Sequence, residues 1–406
     1  MRVGIDFGTS NTSVAFRAGN EINLAPLEAS STSIPTAIFY DALTRDTLLG
    51  NSAVTAYEEG EDGRLMRSIK SLLGTALIDE STQVGNRRVS FKAIVTQFLW
   101  GILNQIERST GEKVTSVTQG RPVSFNDTDP VRDAKAQDIL QDCLNQAGVA
   151  DVTFLEEPVA AAKSVTFSPE RENLAIVIDI GGGTSDFSVI RVSKNNNVFE
   201  VLSSAGVYVG GNELDRLLSF HDIAKLFGKD ETFEKTRLPT PNEPYAVLSD
   251  WKLLHKMYAR DMAAKVKWMR TQSPNSDGIA ALQYLIARQD AHRYANKIED
   301  IKVGLSQHKS ALFQYPMNSS TLEKHVHRSE FELLIDAPLA KMEQALDECL
   351  IAADVADAQL TDIILVGGST LVPAVERRLT RRFEQANIVS NDRFSSVAKG
   401  LAAHLP

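Results

Sequence analysis

Short apolar runs that lead into a polar, glycine-containing turn predict the first buried strands of the chain. The run Arg2–Asp6 continues into the turn residues Gly8–Asn11, and alternating apolar positions resume over Thr12–Arg17, which is the pattern of a β-hairpin. A second hairpin is predicted where Leu174–Ile178 leads through the turn residues IGGGTSD to a returning strand at Phe187–Val192.

The two predicted hairpins form an internal repeat. VGIDFGTSNTSVAF and IVIDIGGGTSDFSVI share an apolar strand, one acid at its end, glycines mixed with hydroxyl residues, and a second strand. The two acids, Asp6 and Asp179, lie 173 positions apart. A repeat on this scale indicates two related domains that face each other.

Apolar residues at helical or strand spacing predict most of the remaining elements. Residues 212–300 are predicted to be mostly helical, whereas residues 30–60 look irregular apart from a strand at Thr36–Phe39. The further predicted helices are Phe91–Ile106, Asp133–Ala147, Phe331–Cys349, Pro373–Phe383 and Phe394–Ala403, and the further strands are Val114–Val123, Val152–Leu155 and Asp362–Val366.

Composition narrows the class of protein. The chain has 406 residues, which suits two or three domains, and its 43 basic and 52 acidic residues leave a net charge of −9. That acidity argues against a general nucleic-acid or membrane-surface role, because phosphate groups attract positive surfaces. The two cysteines, Cys143 and Cys349, exclude a disulfide scaffold, favour a cytoplasmic location and are expected in the core.

The two predicted turns have the chemistry of a phosphate and metal site. Glycine lets the backbone approach a phosphate closely, and successive N–H groups can then bind its oxygens. The carboxylates of Asp6 and Asp179 can hold Mg²⁺ through waters, because Mg²⁺ gives up its water shell reluctantly. Two carboxylates held together repel each other by roughly a few kcal/mol, which a bound Mg²⁺ would relieve. The pair of hairpins therefore predicts a site for a polyphosphate.

Three further segments fit a nucleotide. The strand IILVGG continues through Gly367 and Gly368 to Ser369, which suits close approach of the backbone to a ribose or base. The residues VGGNELD place Gly210 and Gly211 before a helix whose N-terminus can accept an anion. A third segment offers three polar residues on one helix face, at i, i+3 and i+7: Glu299, Lys302 and Ser306.

Together these motifs resemble the nucleotide-binding domain of DnaK-type chaperones, the heat shock protein 70 family of the actin-like ATPase superfamily. VGIDFGTSN is similar to the first phosphate motif of that family, IVIDIGGGTSDFSV to the second, and ILVGGST to the adenosine motif. LEEPVAAA and SSVAKGLAA are similar to its two connecting helices. SIKSLLG with Lys70, VGGNELD and the Glu299 face favour the chaperone branch over actin, filament proteins and sugar kinases. The resemblance runs from Arg2 to about Ala403.

The resemblance implies a two-lobed α/β fold of the actin-like ATPase (ribonuclease H-like) type, with a nucleotide cleft between the lobes. Lobe I is expected to comprise residues 1–167 with 391–406, and lobe II residues 168–390. Smaller peripheral subdomains are expected at about residues 37–93 and about residues 208–300.

It also implies roles for individual residues. Asp6 and Asp179 would position Mg²⁺ and its waters, and Lys70 would stabilise charge on the attacking water and the γ-phosphate. Glu157 or Asp179 would orient or deprotonate that water, and Thr184 completes the catalytic set. The phosphates would be held by Gly8, Thr9, Ser10, Asn11, Gly181, Gly182, Gly183 and Thr184. The rest of the nucleotide would be held by Gly210, Gly211, Glu299, Lys302, Ser306, Gly367, Gly368 and Ser369.

The implied function is slow, Mg²⁺-dependent ATP hydrolysis, with bound ATP or ADP driving a conformational switch. DnaK-type chaperones continue into an acidic-hydrophobic linker and a β-sandwich that binds peptides. The sequence up to Pro406 contains neither, so we expect a short member without an intrinsic peptide-binding domain. Thr153 stands where the family has an arginine linked to J-domain co-chaperones, and no protein partner is identified from the sequence.

Three other functions stay open. A small-molecule kinase of the same superfamily would need a substrate pocket with its own general base. A polymerising actin-like cytomotive protein would assemble with ATP, and a nucleotide sensor would bind the nucleotide without hydrolysis.

Single residues also have simpler interpretations. Lys70 could be a solvated surface lysine, and Glu299 and Lys302 could be an exposed ion pair of little energetic weight.

Overall fold

The computed structural model describes residues 1–19, 21–28, 31–85, 87–126, 129–196, 198–317, 320–389 and 393–404. Of the C-terminal segment predicted for lobe I, residues 391, 392, 405 and 406 lie outside the described residues. The chain packs as two compact units. Unit 1 comprises Met1–Val207, Gln344–Thr370 and Leu379–Pro406, and unit 2 comprises Tyr208–Glu343 and Leu371–Arg378. The predicted lobe boundaries stay a prediction.

Strands and helices alternate along the chain. The described strands are β1 (Arg2–Phe7), β2 (Asn11–Ala18), β3 (Glu21–Leu24), β4 (Ser33–Pro35), β5 (Ala37–Asp41), β6 (Thr47–Leu49), β7 (Gly63–Arg67), β8 (Ser81–Val84), β9 (Arg87–Ser90), β10 (Ser116–Arg121), β11 (Asp151–Glu156), β12 (Asn173–Ile180), β13 (Ser185–Val192), β14 (Phe199–Val207), β15 (Ser310–Pro316), β16 (Thr321–His327), β17 (Asp362–Val366) and β18 (Asn387–Val389). The described α-helices are α1 (Gly50–Glu58), α2 (Phe91–Thr110), α3 (Pro130–Gln146), α4 (Glu157–Lys163), α5 (Gly211–His221), α6 (Glu243–Ser249), α7 (Arg260–Gln272), α8 (Asp277–Arg288), α9 (Ala291–Gln307), α10 (Arg328–Leu334), α11 (Asp336–Ala352), α12 (Pro373–Arg382) and α13 (Ser396–Ala403).

The two large sheets of unit 1 have the same strand topology. Over the described ranges, the first sheet has the order β11-β10-β1-β2-β3, with β4 also paired to β2, and the second has the order β18-β17-β12-β13-β14. In each sheet a central strand, β1 or β12, pairs antiparallel with the next strand of the chain and parallel with a later one, β10 or β17. The predicted internal repeat is therefore confirmed as a repeat of strand order and direction.

Smaller sheets complete the architecture. Unit 1 also contains the sheet β6-β5-β7 and the hairpin β8-β9, and unit 2 contains the hairpin β15-β16 among its helices. The result is a mixed α/β fold, as the sequence predicts.

Helix α2 illustrates how the apolar pattern becomes a core. Its residues Ile94 and Phe98 are fully buried, in one cluster with the central strand of the first sheet. The Ser90 hydroxyl accepts a hydrogen bond from the Ala93 N–H at 3.2 Å and so caps the N-terminus. Gly111, with φ of 74°, ends the helix in the left-handed conformation that favours glycine. Capping and apolar spacing together define this predicted helix.

The two predicted connecting helices, α4 and α13, cross at very short range within unit 1. A Cβ atom on Gly400 would lie 1.7 Å from the carbonyl oxygen of Ala160, so a larger residue there would force the helices apart. Helix α13 also covers β1, where a Cβ atom on Gly4 would lie 2.6 Å from the Cβ atom of Leu401. These glycines therefore set how closely α13 packs on α4 and on the first sheet.

The single helix predicted over Phe331–Cys349 is wrong, because the structure has two helices there. Helix α10 ends at Leu334, and α11 begins at Asp336. Pro338 accounts for the break, since proline lacks an N–H donor and fits a helix only in its first turn, where it stands in α11.

The irregular region predicted for residues 30–60 is also wrong in part. It contains β4, β6 and α1 besides the predicted strand near Thr36–Phe39, which the structure has as β5. Helix α1 buries Gly50, Ala53 and Ala56. Because these residues are small, their spacing gives little apolar signal, although it matches one face of a helix.

Two expectations drawn from composition concern the cysteines and the membrane. Cys143 and Cys349 are free and buried, as expected of core residues. No helix within the described ranges is both long enough and apolar enough to cross a membrane.

Candidate functional site

The first predicted phosphate turn is the tip of the β1–β2 hairpin in unit 1. Asp6 pairs with Ser13 across the two strands, and residues 8–10 form the tip. Thr36 holds this tip in place: its N–H donates to the carbonyl oxygen of Ser10 at 2.8 Å, and its hydroxyl donates to that of Gly8 at 2.8 Å. The tip residues stay half-buried, so the turn is both ordered and accessible.

The second predicted phosphate turn joins β12 to β13, also in unit 1. Asp179 pairs with Asp186 across the strands, and residues 181–184 form the tip. The Gly181 N–H donates to the carbonyl oxygen of Thr184 at 3.0 Å, and the Thr184 hydroxyl donates to Asp186 Oδ2 at 2.8 Å. Asp6 and Asp179 therefore occupy the same place in the repeat, one residue before the end of their strand.

The ILVGGST segment packs directly against the second turn. Gly367 follows β17 with φ of 83°, and a Cβ atom there would lie 2.4 Å from the carbonyl oxygen of Ile180 and 2.8 Å from Asp179 Oδ1. The Ser369 hydroxyl donates to the carbonyl oxygen of Gly181 at 3.2 Å. Only glycine fits at position 367, because both the backbone conformation and the space exclude a side chain. The predicted adenosine and phosphate segments of unit 1 are thus neighbours.

Lys70 is buried rather than solvated. Its short 3₁₀ helix, Ile69–Leu72, follows Ser68, whose φ is 54°. The residue is 9% exposed, and its Nζ donates to Glu157 Oε1 at 2.6 Å. The interpretation of Lys70 as a surface lysine is therefore wrong.

Five charged groups of unit 1 interact beside the two turns. Burial and, to a smaller extent, the negative charge of Glu157 raise the pKa of Asp6, Lys70 opposes them, and the resulting value is about 7. Burial likewise raises the pKa of Asp179 to about 8, with contributions from the charges of Asp186, Glu157 and Asp6. The neighbouring negative charges therefore raise the pKa values of Asp6 and Asp179 in addition to the effect of burial.

Lys70 stays charged in this environment. Burial alone lowers the pKa of its ammonium group, but the charges of Glu157 and Asp6 and the hydrogen bond to Glu157 outweigh burial and raise it. When Asp6 and Asp179 are ionised, the carboxylates around Lys70 carry more negative charge than its one ammonium group neutralises. A second cation would stabilise that ionised state.

Asp6 and Asp179 fit a hydrated Mg²⁺ ion. No group of three or more His, Cys, Asp or Glu side chains within the described ranges is arranged to hold a metal. The donors available at the turns are carboxylate oxygens, which Mg²⁺ prefers, and Mg²⁺ commonly keeps several waters beside one or two carboxylates. Two half-buried carboxylates with raised pKa values are a donor set that such an ion would stabilise in the ionised form.

The predicted residues of unit 2 meet around an acid that the sequence analysis did not select. Lys302 of α9 is buried and its Nζ donates to Asp215 Oδ2, on α5, at 2.7 Å. The Ser306 hydroxyl donates to the carbonyl oxygen of Lys302 at 3.1 Å. Glu299 is exposed and Lys302 pairs with Asp215, so the alternative interpretation of Glu299 and Lys302 as an exposed ion pair is wrong.

The structure brings many of the predicted residues into contact within each unit. In unit 1 the interacting set is Asp6, Lys70, Glu157, Asp179, Gly181, Thr184, Gly367 and Ser369. The other residues of these turns are half-buried or exposed: Gly8, Thr9, Ser10, Asn11, Gly182, Gly183 and Gly368. In unit 2, Gly210 precedes α5 and Gly211 is its first residue.

Three residues with roles in this geometry were missed by the sequence analysis. Asp186 and Asp215 stand inside the quoted motifs IGGGTSD and VGGNELD, so their acidic character next to glycine turns was an available signal. No signal in the sequence marked Thr36, because its hydrogen bonds to the first turn join segments that are distant along the chain.

Comparison with known protein families gives one matching model, described as Hsp70 protein, over residues 2–238 and 266–404. The matched ranges include both hairpins, Lys70, Glu157 and the Asp215–Lys302 pair.

Individual relatives are distant but align along nearly all of the chain. Heat shock 70 kDa protein 7, chloroplastic, of Arabidopsis thaliana is 26% identical over 93% of this chain and 48% of its own length. A chaperone protein HscA homolog of Shewanella denitrificans is 24% identical over 99% of this chain and 57% of its own. Chaperone protein dnaK of Gracilaria tenuistipitata var. liui is 24% identical over 92% and 55%. The chain spans about half the length of the curated relatives it matches. Because one of them is named as chloroplastic, the cytoplasmic location stays a prediction.

Proposed function

Because the chain belongs to the HSP70 family, we propose that it binds ATP and ADP with Mg²⁺ and hydrolyses ATP slowly, as a nucleotide-driven conformational switch. The observation that carries the proposal is the interacting group of buried Lys70 with half-buried Asp6, Asp179 and Glu157 beside the two repeated turns. Two desolvated carboxylates, a permanent cation and glycine turns are the parts that phosphoryl transfer uses.

The phosphate chain of the nucleotide lies against the two turns in this proposal. Residues 8–11 and 181–184 present backbone groups beside the acids, which suits contact with phosphate oxygens. Mg²⁺, when bound through Asp6 and Asp179, supplies positive charge that neutralises the phosphates. Lys70 adds a second positive charge, which favours the transition state more than the ground state.

Glu157 is the better placed of the two predicted residues to orient the attacking water. Its Oε1 is fixed by Lys70 at 2.6 Å, and it is the first residue of α4. With Glu157 assigned to the water, Asp179 is assigned to Mg²⁺ binding. A carboxylate fixed by a lysine has one orientation, and positioning supplies much of the catalysis in phosphoryl transfer.

In unit 1, Gly367, Gly368 and Ser369 are assigned to binding of the nucleoside. In unit 2, Glu299, Lys302 and Ser306 are assigned to the same role, with Gly210 and Gly211 at the start of α5. Coupling of hydrolysis to motion is assigned to α4, which begins at Glu157, and to α13, which crosses it at Gly400. The relatives carry the names heat shock protein and chaperone, and we extend no chaperone activity from those names to this chain.

Calorimetry with ATP, ADP and GTP, each with and without Mg²⁺, tests the proposal when it is followed by measurement of phosphate release. We expect adenine nucleotides to bind at least about tenfold more tightly than GTP, more tightly with Mg²⁺, and ATP to release phosphate slowly without an added acceptor. Absence of adenine nucleotide binding would overturn the proposal. Phosphate transfer that needs an added small molecule would favour a kinase, and ATP-dependent light scattering would favour a polymerising protein.

A further inference from the structure

Two of the nucleoside residues predicted in unit 2, Lys302 and Glu299, interact with Asp215. Asp215 lies on α5, four residues after Gly211, and its Oδ2 accepts a hydrogen bond from Lys302 Nζ at 2.7 Å. The charge of Glu299, on the same helix as Lys302, also acts on Asp215. The start of α5 and the polar face of α9 therefore meet at this one carboxylate.

This ion pair joins a buried lysine to a half-buried acid and is less exposed than its neighbour on the same helix. The side chains of Lys302 and Asp215 are 10% and 19% exposed, whereas those of Arg216 and Glu213, which also pair on α5, are 38% and 34% exposed. Breaking a buried pair leaves an uncompensated charge, while an exposed pair can be lost with little effect. Asp215 is thus the group that holds the Lys302 ammonium in place.

A second feature of this ion pair is the other carboxylate oxygen of Asp215, which does not bind Lys302. Asp215 Oδ1 is buried and accepts no hydrogen bond from the residues that the structure describes. A buried carboxylate oxygen without a donor is unfavourable, so the site is not fully satisfied by these protein groups.

We propose that Asp215 is a positioning residue for nucleoside binding by unit 2, holding Lys302 in the orientation that binds the nucleoside. The inference rests on the proposed function. Asp215 acts through Lys302 and not on the phosphates, so its loss weakens binding of the nucleoside and leaves the chemistry of the bound triphosphate intact.

Asp215→Asn, assayed with adenosine and with ADP, tests this role. Adenosine has no phosphates, so its affinity reports the nucleoside half alone. We expect both affinities to fall by the same factor, about tenfold or more, while the single-turnover hydrolysis rate of saturating ATP stays within about twofold of wild type. Glu213→Gln, on the same helix, is the matched control and should change neither quantity.

A pH titration of the wild-type protein gives a second, independent test. Burial raises the pKa of Asp215 to about 6, opposed by Lys302 and supported by Glu299. The other charged or titratable residues on α5 and on the elements packed against it are Glu213, Arg216, His221, Lys225, Glu243, His292, Arg293, Lys297, Asp300, Arg328, Glu330 and Glu332. Protonation removes the ion pair, so adenosine affinity should fall as the pH drops from about 7 to about 5, and Asp215→Asn should lack this fall.

The outcomes separate this inference from the proposed function. If the wild-type protein binds neither adenosine nor ADP, the proposed function fails. If it binds both and a folded Asp215→Asn variant binds them equally well or more tightly, only the role of Asp215 fails. Should the variant not fold, judged by thermal unfolding without ligand, the wild-type titration decides, and a flat adenosine profile would overturn the role.

Discussion

Two lysines of this protein are buried together with an acid from a distant part of the chain. Lys70 pairs with Glu157 in unit 1, and Lys302 pairs with Asp215 in unit 2, each 87 positions away. A buried ammonium group needs such a partner, because transfer of an isolated charge out of water is strongly unfavourable. Both pairs stand among residues that the motifs associate with a nucleotide, which supports a functional rather than a purely structural use.

Lys70→Ala should separate binding from turnover. Loss of the ammonium removes charge stabilisation in the transition state, so we expect ATP affinity near wild type and hydrolysis at least about tenfold slower. Single-turnover phosphate release measures the rate, and calorimetry the affinity. Lys92→Ala is the control, because Lys92 pairs with Asp79 at the surface and should have no effect. Equal turnover in wild type and Lys70→Ala would remove Lys70 from the mechanism.

Asp6 and Asp179 should make the stability of the ligand-free protein depend on pH. Their pKa values are raised from 3.8 to about 7 and about 8, so the folded protein binds protons that the unfolded chain releases. Their contribution to stability is fully present below about pH 4 and is lost as the pH rises through the two raised values. Urea unfolding across this range should show the loss, and Asp179→Asn should reduce its slope. Asp62→Asn, at an exposed acid, is the control.

The same two carboxylates should couple Mg²⁺ binding to proton release. A metal binds the ionised form, so Mg²⁺ dependence of nucleotide affinity should increase between about pH 6 and about pH 8. Calorimetry in two buffers of different ionisation enthalpy measures the protons released. An unchanged Mg²⁺ titration in Asp179→Asn would count against its assigned role.

At the scale of the elements, the crossing of α4 and α13 has no space for a larger side chain at Gly400. At Gly400 the two helices approach so closely that a methyl group has no space against the backbone of Ala160. Helix α4 begins with Glu157, the partner of Lys70, so a shift of this crossing would also move a residue of the site. Packing and site geometry are thus linked through one helix.

Gly400→Ala should therefore destabilise unit 1 by about 1–3 kcal/mol or more, measured by chemical unfolding. Gly304→Ala on α9 is the matched control. Its new methyl group would lie at an ordinary 3.4 Å from Ala311, so its effect should stay within about 1 kcal/mol. Equal stability of the two variants would show that the helices can separate without penalty.

At the scale of the whole molecule, the chain is two compact units that together span about half the length of its named relatives. The family model covers both units and leaves only residues 239–265 between its matched ranges. Helix α6 and the 3₁₀ helix Leu254–Tyr258 lie in this stretch and bury Tyr245, Leu248 and Met257. This chain therefore retains a packed core where it departs from the family pattern.

Mg²⁺ with ADP should stabilise the whole protein against unfolding. A ligand that binds only the folded state at 100 times its dissociation constant contributes about 2.7 kcal/mol. We expect a higher unfolding temperature with Mg–ADP than with Mg²⁺ or ADP alone, reversed by a chelator, and a smaller shift with GDP. Identical shifts for ADP and GDP would contradict adenine specificity.

Local patterns were enough to predict both phosphate hairpins, their repeat and helix α2. Alternating and helical spacings are read within a few residues, and glycine turns mark where strands reverse. The same method failed at α1, whose buried face consists of glycine and alanine, and at Pro338, which was not recognised as a first-turn proline of a new helix. In the site, the acids and glycines of the turns were predicted because their chemistry lies in consecutive residues.

The amino-acid sequence by itself determined the two hairpins, the family and the set of groups available for chemistry, because each depends on residue type and short spacing. The tertiary structure decided which groups meet: Glu157 with Lys70, Asp215 with Lys302, and Thr36 with the first turn. It also decided the raised pKa values of Asp6 and Asp179, since these arise from burial and from neighbours far along the chain. The physical reason is that desolvation and ion pairing depend on distances in space, which the order of residues does not state.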